Sequence, residues 1–297
     1  MREAIVKELV GAVQEIAGNG YVVTTQETTK NNGVKMLGIE IRKTGETLVP
    51  RIYVDGIVDR VKDGFMTVED AAKKVLDIYQ NSEELDIEMD VENWITREFI
   101  LNHVEYQLVN AERNAEKLKD IPGKKIADLV AIYRVVLSLD ENGMKSYVLT
   151  NAGLARSKIS LEELDEAAKK NTEKSEFSVR TMNEVMCEMM GISVGPENEE
   201  PEGPQMYVLT NARKLHGANI MLYKEYLEIA AEKMNGDFYI LPSSIHELLA
   251  VPVSTAVLEE LRQMVKEVND NEVAPEEILG YEVYRYNRES GEVEVAA

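Results

Sequence analysis

The chain has 297 residues and carries 33 Lys and Arg against 54 Asp and Glu, a formal net charge of −21 with its three His neutral. A surface this acidic repels the phosphates of nucleic acids and anionic membranes, so we expect no direct binding to either. The hydrophobic share of 44% can fill a core, and a single Cys excludes a disulfide framework and a Cys-rich metal site. Because the sequence has no signal-peptide pattern and no apolar run of about 18 residues, we expect a cytoplasmic protein.

The predicted elements of the first 80 residues are a helix over 2–17, strands over 21–27, 34–42 and 48–54, and a helix over 67–79. Asn32-Gly33 separates the first two strands, and both residue types tolerate the positive φ that a tight hairpin needs. Thr67 is the expected N-cap of the second helix, with Asp70 three positions on. This pattern predicts a small α+β arrangement with an antiparallel hairpin.

Strands and helices continue to alternate in the rest of the chain. In order, we expect strand 104–109, helix 111–118, strands 128–139 and 145–150, helices 161–170 and 179–190, strand 206–210, helix 218–234, strand 238–241, helix 255–268 and a hairpin of 282–286 with 293–295. A Pro- and Glu-rich stretch has the composition of an exposed linker. We therefore predict an α+β fold in two lobes, residues 1–191 and 206–297, joined by a linker over 192–205.

One six-residue segment occurs twice. Tyr147 to Ala152 reads Tyr-Val-Leu-Thr-Asn-Ala, and Tyr207 to Ala212 repeats it letter for letter, while Leu108 to Ala111 is a weaker third copy. The first two copies are each followed by a predicted helix and a further short run, which indicates a duplicated strand–helix–strand unit. An Asn at the end of a strand also has a plain structural role, because its side chain accepts hydrogen bonds from nearby amides.

The acidic residues are spread over the whole chain. The net charge is −7 for residues 1–100 (12 basic, 19 acidic), −5 for 101–200 (13 and 18) and −9 for 201–297 (8 and 17). Two denser runs lie within residues 83–92 and 197–202. They are typical of a solvated surface, and the alternative is an acidic surface that mimics nucleic acid and occupies a basic partner.

The densest group of residues with chemical potential is Pro242 to Glu247, which follows a predicted strand. Ser243, Ser244, His246 and Glu247 supply hydroxyls, an imidazole and a carboxylate, the groups used in nucleophilic and acid–base catalysis. Asn211 and His216 from the preceding unit are candidate ligand-binding partners. The alternative is that Pro-Ser-Ser caps a helix and that His246 is satisfied by local hydrogen bonds.

The common catalytic and cofactor motifs are missing. His246-Glu247 lacks the second His of a zinc protease, because Ala250 stands there, and neither Ser is flanked by the glycines of a nucleophile elbow. Gly123-Lys124-Lys125 lacks the remaining residues of a phosphate loop, and no acidic segment has EF-hand spacing. We therefore expect neither a cofactor nor a metal, although the 54 acids leave a carboxylate-bound Mg²⁺ or Ca²⁺ as an alternative. Whether the protein is an enzyme stays open.

The chain resembles the family of domains of unknown function numbered fifty-six eighty-eight, common in Gram-positive gut anaerobes. The residues that carry the resemblance are Lys30 to Gly33, Leu48 to Tyr53, Leu108 to Asn110 with Asn114, Ile121-Pro122, Asp128 to Val130, Tyr207 to Asn211, Gly217-Ala218 and Ile240 to Glu247. No activity is assigned to that family, so the resemblance implies no catalytic residue. It does imply that Pro242 to Glu247 is a hallmark of the family.

Three hypotheses for the function follow. The first is a non-enzymatic module that binds another protein through its acidic face or through a cleft between the lobes. The second is a hydrolase-like or small-ligand-binding site at Pro242 to Glu247. The third is an acidic inhibitor of an enzyme that binds nucleic acid.

Overall fold

The computed structural model describes residues 1–43, 51–83, 91–140, 143–192 and 205–297. These residues fall into two compact units, Met1–Met89 (unit 1) and Asp90–Ala297 (unit 2). Both units combine helices with antiparallel sheets, which confirms the predicted α+β class. Among the described residues, no helix is both long and apolar enough to cross a membrane.

Unit 1 packs helices around a three-stranded antiparallel sheet in the order β1-β2-β3. Its elements are α1 (Arg2–Ala17), β1 (Tyr21–Thr29), β2 (Lys35–Lys43), β3 (Arg51–Tyr53), α2 (Asp55–Lys62) and α3 (Val68–Glu83). The core is aliphatic, with Leu9, Val13, Ile39 and Ile41 fully buried. Such a core needs one apolar face from each element, and the helical and strand periodicities supply it.

Two local predictions in unit 1 are confirmed. Asn32 and Gly33 both adopt positive φ, 58° and 70°, in the connection between β1 and β2. The amide of Asp70 donates to Thr67 Oγ1 (3.1 Å), and the Thr67 hydroxyl donates to Asp70 Oδ2 (2.7 Å). Residues 48–50 of the predicted third strand lie outside the described residues, and Arg51–Tyr53 of that strand form β3.

Unit 2 contains a four-stranded and a six-stranded antiparallel sheet that share one apolar core. The first part of the unit comprises α4 (Val91–Trp94), α5 (Arg97–His103), β4 (Val104–Asn110), α6 (Ala115–Leu118), β5 (Gly123–Ile126), β6 (Leu129–Asp140), β7 (Gly143–Val148), α7 (Asn151–Ser157) and α8 (Leu161–Glu173). Strand β6 pairs with β4, β5 and β7. The sheet therefore has β4 at one edge.

The six-stranded sheet has the order β13-β12-β10-β11-β9-β8. Its elements, with the helices between them, are β8 (Phe177–Thr181), α9 (Met182–Met189), β9 (Tyr207–Asn211), α10 (Lys224–Lys233), β10 (Phe238–Leu241), β11 (Leu248–Pro252), α11 (Leu258–Asn271), β12 (Tyr284–Asn287) and β13 (Glu292–Val295). A 3₁₀ helix over Gly217–Leu222 stands between β9 and α10. The predicted C-terminal hairpin is thus confirmed as β12 and β13.

Strands on the two sides of the predicted linker pair with each other. Strand β8 pairs with β9, with Phe177 opposite Asn211, so residues on both sides of 192–205 belong to one sheet. The two compact units divide near residue 90. Residues 193–204, including the acidic run within 197–202, lie outside the described residues, as do residues 84–90 of the other acidic run.

The helix predicted over 179–190 is wrong in its first part. Residues Phe177 to Thr181 form a strand, in which Phe177 and Val179 are both buried at strand spacing. Thr181 then begins α9 with a capping box, because its side chain accepts from the Glu184 amide while Glu184 accepts from the Thr181 amide. That Thr-x-x-Glu signature was readable in the sequence and marks where the helix starts.

The edge of β4 that faces away from β6 is bound by side chains instead of another strand. Asn219, which is 2% exposed, accepts from the Leu108 amide (3.0 Å) and donates to the Tyr106 carbonyl (2.6 Å). The hydroxyl of Thr172 accepts from the Tyr106 amide (2.8 Å), and Asn171 donates to the Val104 carbonyl (3.0 Å). These bonds satisfy main-chain groups that have no neighbouring strand in the described part of the chain.

We expect Asn219→Ala to lower the free energy of unfolding by about 3 kcal/mol, because it leaves a buried amide and a buried carbonyl without partners. The measurement is denaturant unfolding followed by circular dichroism. Asn271→Ala is the matched control: Asn271 is exposed and donates one bond to the Glu267 carbonyl. Equal losses in the two variants would contradict the assigned role of Asn219.

Candidate functional site

Residues 242–247 form the loop of a β-hairpin. They connect β10 to β11, in which Leu241 pairs with Leu249 and Phe238 pairs with Pro252. The interpretation of Pro-Ser-Ser as a helix N-cap is therefore wrong, because a strand follows. The sequence did not distinguish a hairpin loop from a helix start, since Pro and Ser favour helix starts and turns alike.

The serines of this loop shape the turn. The Ser244 side chain is buried, and its Oγ accepts a hydrogen bond from the His246 amide (3.0 Å). The Ser244 amide donates to the Glu247 carbonyl (3.2 Å), which closes the loop. Among the described residues, the side chains of Ser243 and Glu247 form no hydrogen bond. The hydroxyl of Ser244 thus binds the main chain and not an imidazole.

The loop packs against the segment that follows β9. Thr210 Oγ1 donates to the His246 carbonyl (2.9 Å), and the Ala218 amide donates to the Ile245 carbonyl (3.4 Å). A Cβ on Gly217 would lie 2.3 Å from both the His246 carbonyl oxygen and Thr210 Oγ1. Position 217 therefore requires glycine, which lets the two main chains approach.

His216 and His246 meet at this contact. Their rings stack nearly parallel, with centroids 5.8 Å apart and planes at 8°. The His216 amide donates to His246 Nδ1 (3.3 Å), so a neutral His246 carries its proton on Nε2. That Nε2 lies 3.6 Å from Oε1 of Glu277. Glu277 was not among the predicted residues, and nothing in the sequence distinguishes it from the other acids.

His216 adopts a left-handed conformation (φ 52°) and is half-buried. Burial, followed by the charges of Arg134 and His246, lowers the pKa of His216 from 6.5 to about 3. His216 is therefore neutral at physiological pH.

Asn211 holds the loop that carries His216. Its Nδ2 donates to the Leu215 carbonyl (2.9 Å) and its Oδ1 accepts from the Leu215 amide (3.3 Å). The structure thus brings Ser244, His246 and His216 together and assigns Asn211 to loop geometry. Because no Ser hydroxyl bonds a His ring in the part of the chain that is described, the cluster lacks the nucleophile–base pair of a hydrolase. It joins two loops.

A second candidate site is a cavity of about 400 Å³ in unit 2. Four of its lining residues are lysines, Lys124, Lys125, Lys169 and Lys224, and we call it the lysine pocket. The remaining lining residues are Tyr106, Ile126, Ala127, Met221, Leu222, Leu227, Gly291, Glu292 and Val293. Glu292 is the single acid among them, so the lining has four positive charges against one negative charge.

A buried network holds one of these lysines. Lys124 Nζ lies 3.0 Å from Asp165 Oδ2, while Asp165 Oδ1 accepts from the hydroxyls of Tyr106 (2.7 Å) and Tyr133 (2.9 Å). Burial alone would raise the pKa of Asp165, but the bonds from Tyr106, Lys124 and Tyr133 outweigh it and lower the pKa. Burial, followed by the bond to Asp165, raises the pKa of both tyrosines. The carboxylate is therefore ionised and the phenols keep their protons.

The other three lysines, Lys125, Lys169 and Lys224, are exposed and form no ion pair with any residue that the structure describes. Lys224 is also the first residue of α10, whose N-cap, Tyr223, makes no side-chain cap bond. The positive end of the helix dipole adds to the positive potential there. Sequence reasoning missed this site because its lysines come from distant segments and because Gly123-Lys124-Lys125 was considered only as a phosphate loop.

The described residues contain no group of three or more His, Cys, Asp or Glu side chains that could hold a metal ion.

Comparison with known families gives one decisive match: the model of a family described as "Family of unknown function (DUF5688)" matches residues 2–288. The chain belongs to this family. No curated protein matches the chain, and no solved structure matches it. The match confirms the resemblance in the sequence, and DUF5688 membership brings no assigned activity.

We expect His216 to make stability depend on pH. Its pKa is about 3 when folded and near 6.5 when unfolded, so only the unfolded chain gains a proton between these values. Stability therefore falls as pH drops below 6.5, by up to about 1.4 kcal/mol per pH unit. His216→Asn removes this contribution while Asn still tolerates the left-handed conformation.

The measurement is denaturant unfolding of wild type and His216→Asn from pH 7.5 to pH 4.5. The difference between the two curves isolates His216, because carboxylates titrate in both proteins. The wild type should lose stability relative to the variant as pH falls. Parallel curves would contradict the low pKa of His216.

Proposed function

We propose that this protein is a non-enzymatic binding protein and that the lysine pocket of unit 2 takes a small anionic ligand. One observation carries the proposal: four lysines converge on one cavity in a chain whose net charge is −21. Charged side chains of one sign around a concave surface focus the field into it. The rest of the acidic surface repels anions, which favours this pocket over other places on the protein.

The energetics agree with a binding role. An exposed ion pair contributes about 0.2–1 kcal/mol, but several lysines acting on one anion add their contributions in a recess where water screens less. Lys125, Lys169 and Lys224 have no competing carboxylate among the described residues. They are therefore available to a ligand, whereas Lys124 also forms an ion pair with Asp165.

The alternatives have less support. The loop at Ser243, Ser244, His246 and Glu247 lacks a nucleophile–base pair in the described structure, which weighs against the hydrolase hypothesis. Binding of a protein through the acidic face, and inhibition of a nucleic-acid enzyme, depend most on runs that lie largely outside the described residues. A cytoplasmic location remains part of the proposal and is supported by the chain's single, buried Cys187.

The test is isothermal titration calorimetry with inorganic phosphate at low ionic strength. We expect Lys125→Met/Lys169→Met to weaken binding about tenfold, because each lysine contributes roughly 0.7 kcal/mol. Lys170→Met is the matched control, since Lys170 neighbours Lys169 on α8 and does not line the pocket. Binding should also weaken as salt rises.

Two results would count against the proposal. One is phosphate binding that is unchanged in the double variant, because the anion would then lie elsewhere. The other is the absence of any binding by the wild type at low ionic strength, with the fold shown intact by circular dichroism.

A further inference from the structure

The lysine pocket has two chemically different parts. Its lysines are exposed at the rim, while Ile126, Leu222 and Val293 are half-buried and supply its accessible apolar surface. Tyr106, Met221 and Leu227 form the floor beneath them and are each at most 2% exposed. A ligand that enters the pocket therefore meets charge outside and apolar surface inside.

The floor offers little to a polar group. The one hydroxyl among the floor residues belongs to Tyr106, and it donates to the Asp165 carboxylate (2.7 Å) and lies 2.9 Å from the Asp165 carbonyl. Met and Leu side chains supply no strong hydrogen bond. An inorganic anion at this surface would lose hydrogen bonds to water, and the surface would not replace them. That loss costs free energy.

The size of the cavity also favours an organic ligand over a single inorganic anion. About 400 Å³ is room for on the order of ten water molecules, far more than one tetrahedral anion needs. The volume falls within the range of pockets that hold small organic ligands, which are mostly apolar with a few polar anchors. The anion would occupy the rim and leave the floor for the rest of the molecule.

We infer that the lysine pocket selects amphiphilic anions, in which a phosphate or carboxylate group is attached to an apolar body of about the size of an aromatic ring. This inference rests on the proposed function and adds the class of ligand to it. The lysines bind the charged group, and Ile126, Leu222 and Val293 bind the apolar body. Burial of that body provides affinity that inorganic phosphate lacks.

The experiment titrates the protein with three probes: inorganic phosphate, phenyl phosphate and phenol. We expect phenyl phosphate to bind about tenfold or more tightly than inorganic phosphate, and phenol to bind weakly, because both parts of the ligand are required. The double variant Ile126→Thr/Val293→Thr keeps a β-branched side chain at both positions, adds polarity and removes one carbon at position 126. It should weaken phenyl phosphate severalfold and leave inorganic phosphate unchanged.

Val295→Thr is the matched control, because Val295 lies on β13 with Val293 and does not line the pocket. Equal affinity for the two phosphates would overturn the inference and leave the proposed function standing. The same holds if the double Thr variant weakens both phosphates equally. Failure of both phosphates to bind, or phenol binding as tightly as phenyl phosphate, would overturn the proposed function and the inference together.

Discussion

The organisation of unit 2 depends on Asn219, which hydrogen-bonds the edge of β4 from within the 3₁₀ helix Gly217–Leu222. An edge strand inside a packed core must satisfy its main-chain groups, and a side-chain amide offers both a donor and an acceptor. The same short helix begins beside the His216–His246 contact and ends with Met221 and Leu222 at the lysine pocket. One buried amide thus links the two sheets and positions both candidate sites.

The two sites differ in what they leave unsatisfied. At the histidine contact, main-chain groups and His246 Nδ1 are paired with one another, and Ser244 Oγ accepts from an amide. Such a network stabilises the two loops. At the lysine pocket, three ammonium groups lack a carboxylate among the described residues, and only Lys124 is paired, with Asp165. Unpaired charge beside an apolar floor is the pattern of a binding site.

The repeated segment shows how far identical letters determine structure. Thr150 caps α7 by accepting from the Gly153 amide, whereas Thr210 lies in β9 and donates to the His246 carbonyl. Asn211 resembles Asn110 of the weaker copy more closely, because each accepts from an amide just beyond its strand, at Leu215 and Arg113. The difference lies outside the six letters, in the residues that follow each copy and in the hairpin loop that contacts Thr210.

The residues alone predicted the α+β class, the Asn32-Gly33 turn, the Thr67 cap and the DUF5688 membership, because these depend on local preferences or on the order of residues along the chain. They also drew attention to Ser244, His246 and His216, which do meet. The folded chain was needed to show that the Ser244 hydroxyl binds the main chain, that Glu277 approaches His246, and that Lys124, Lys169 and Lys224 share one cavity. These are contacts between segments far apart in the chain, and their register and packing are set by the whole core.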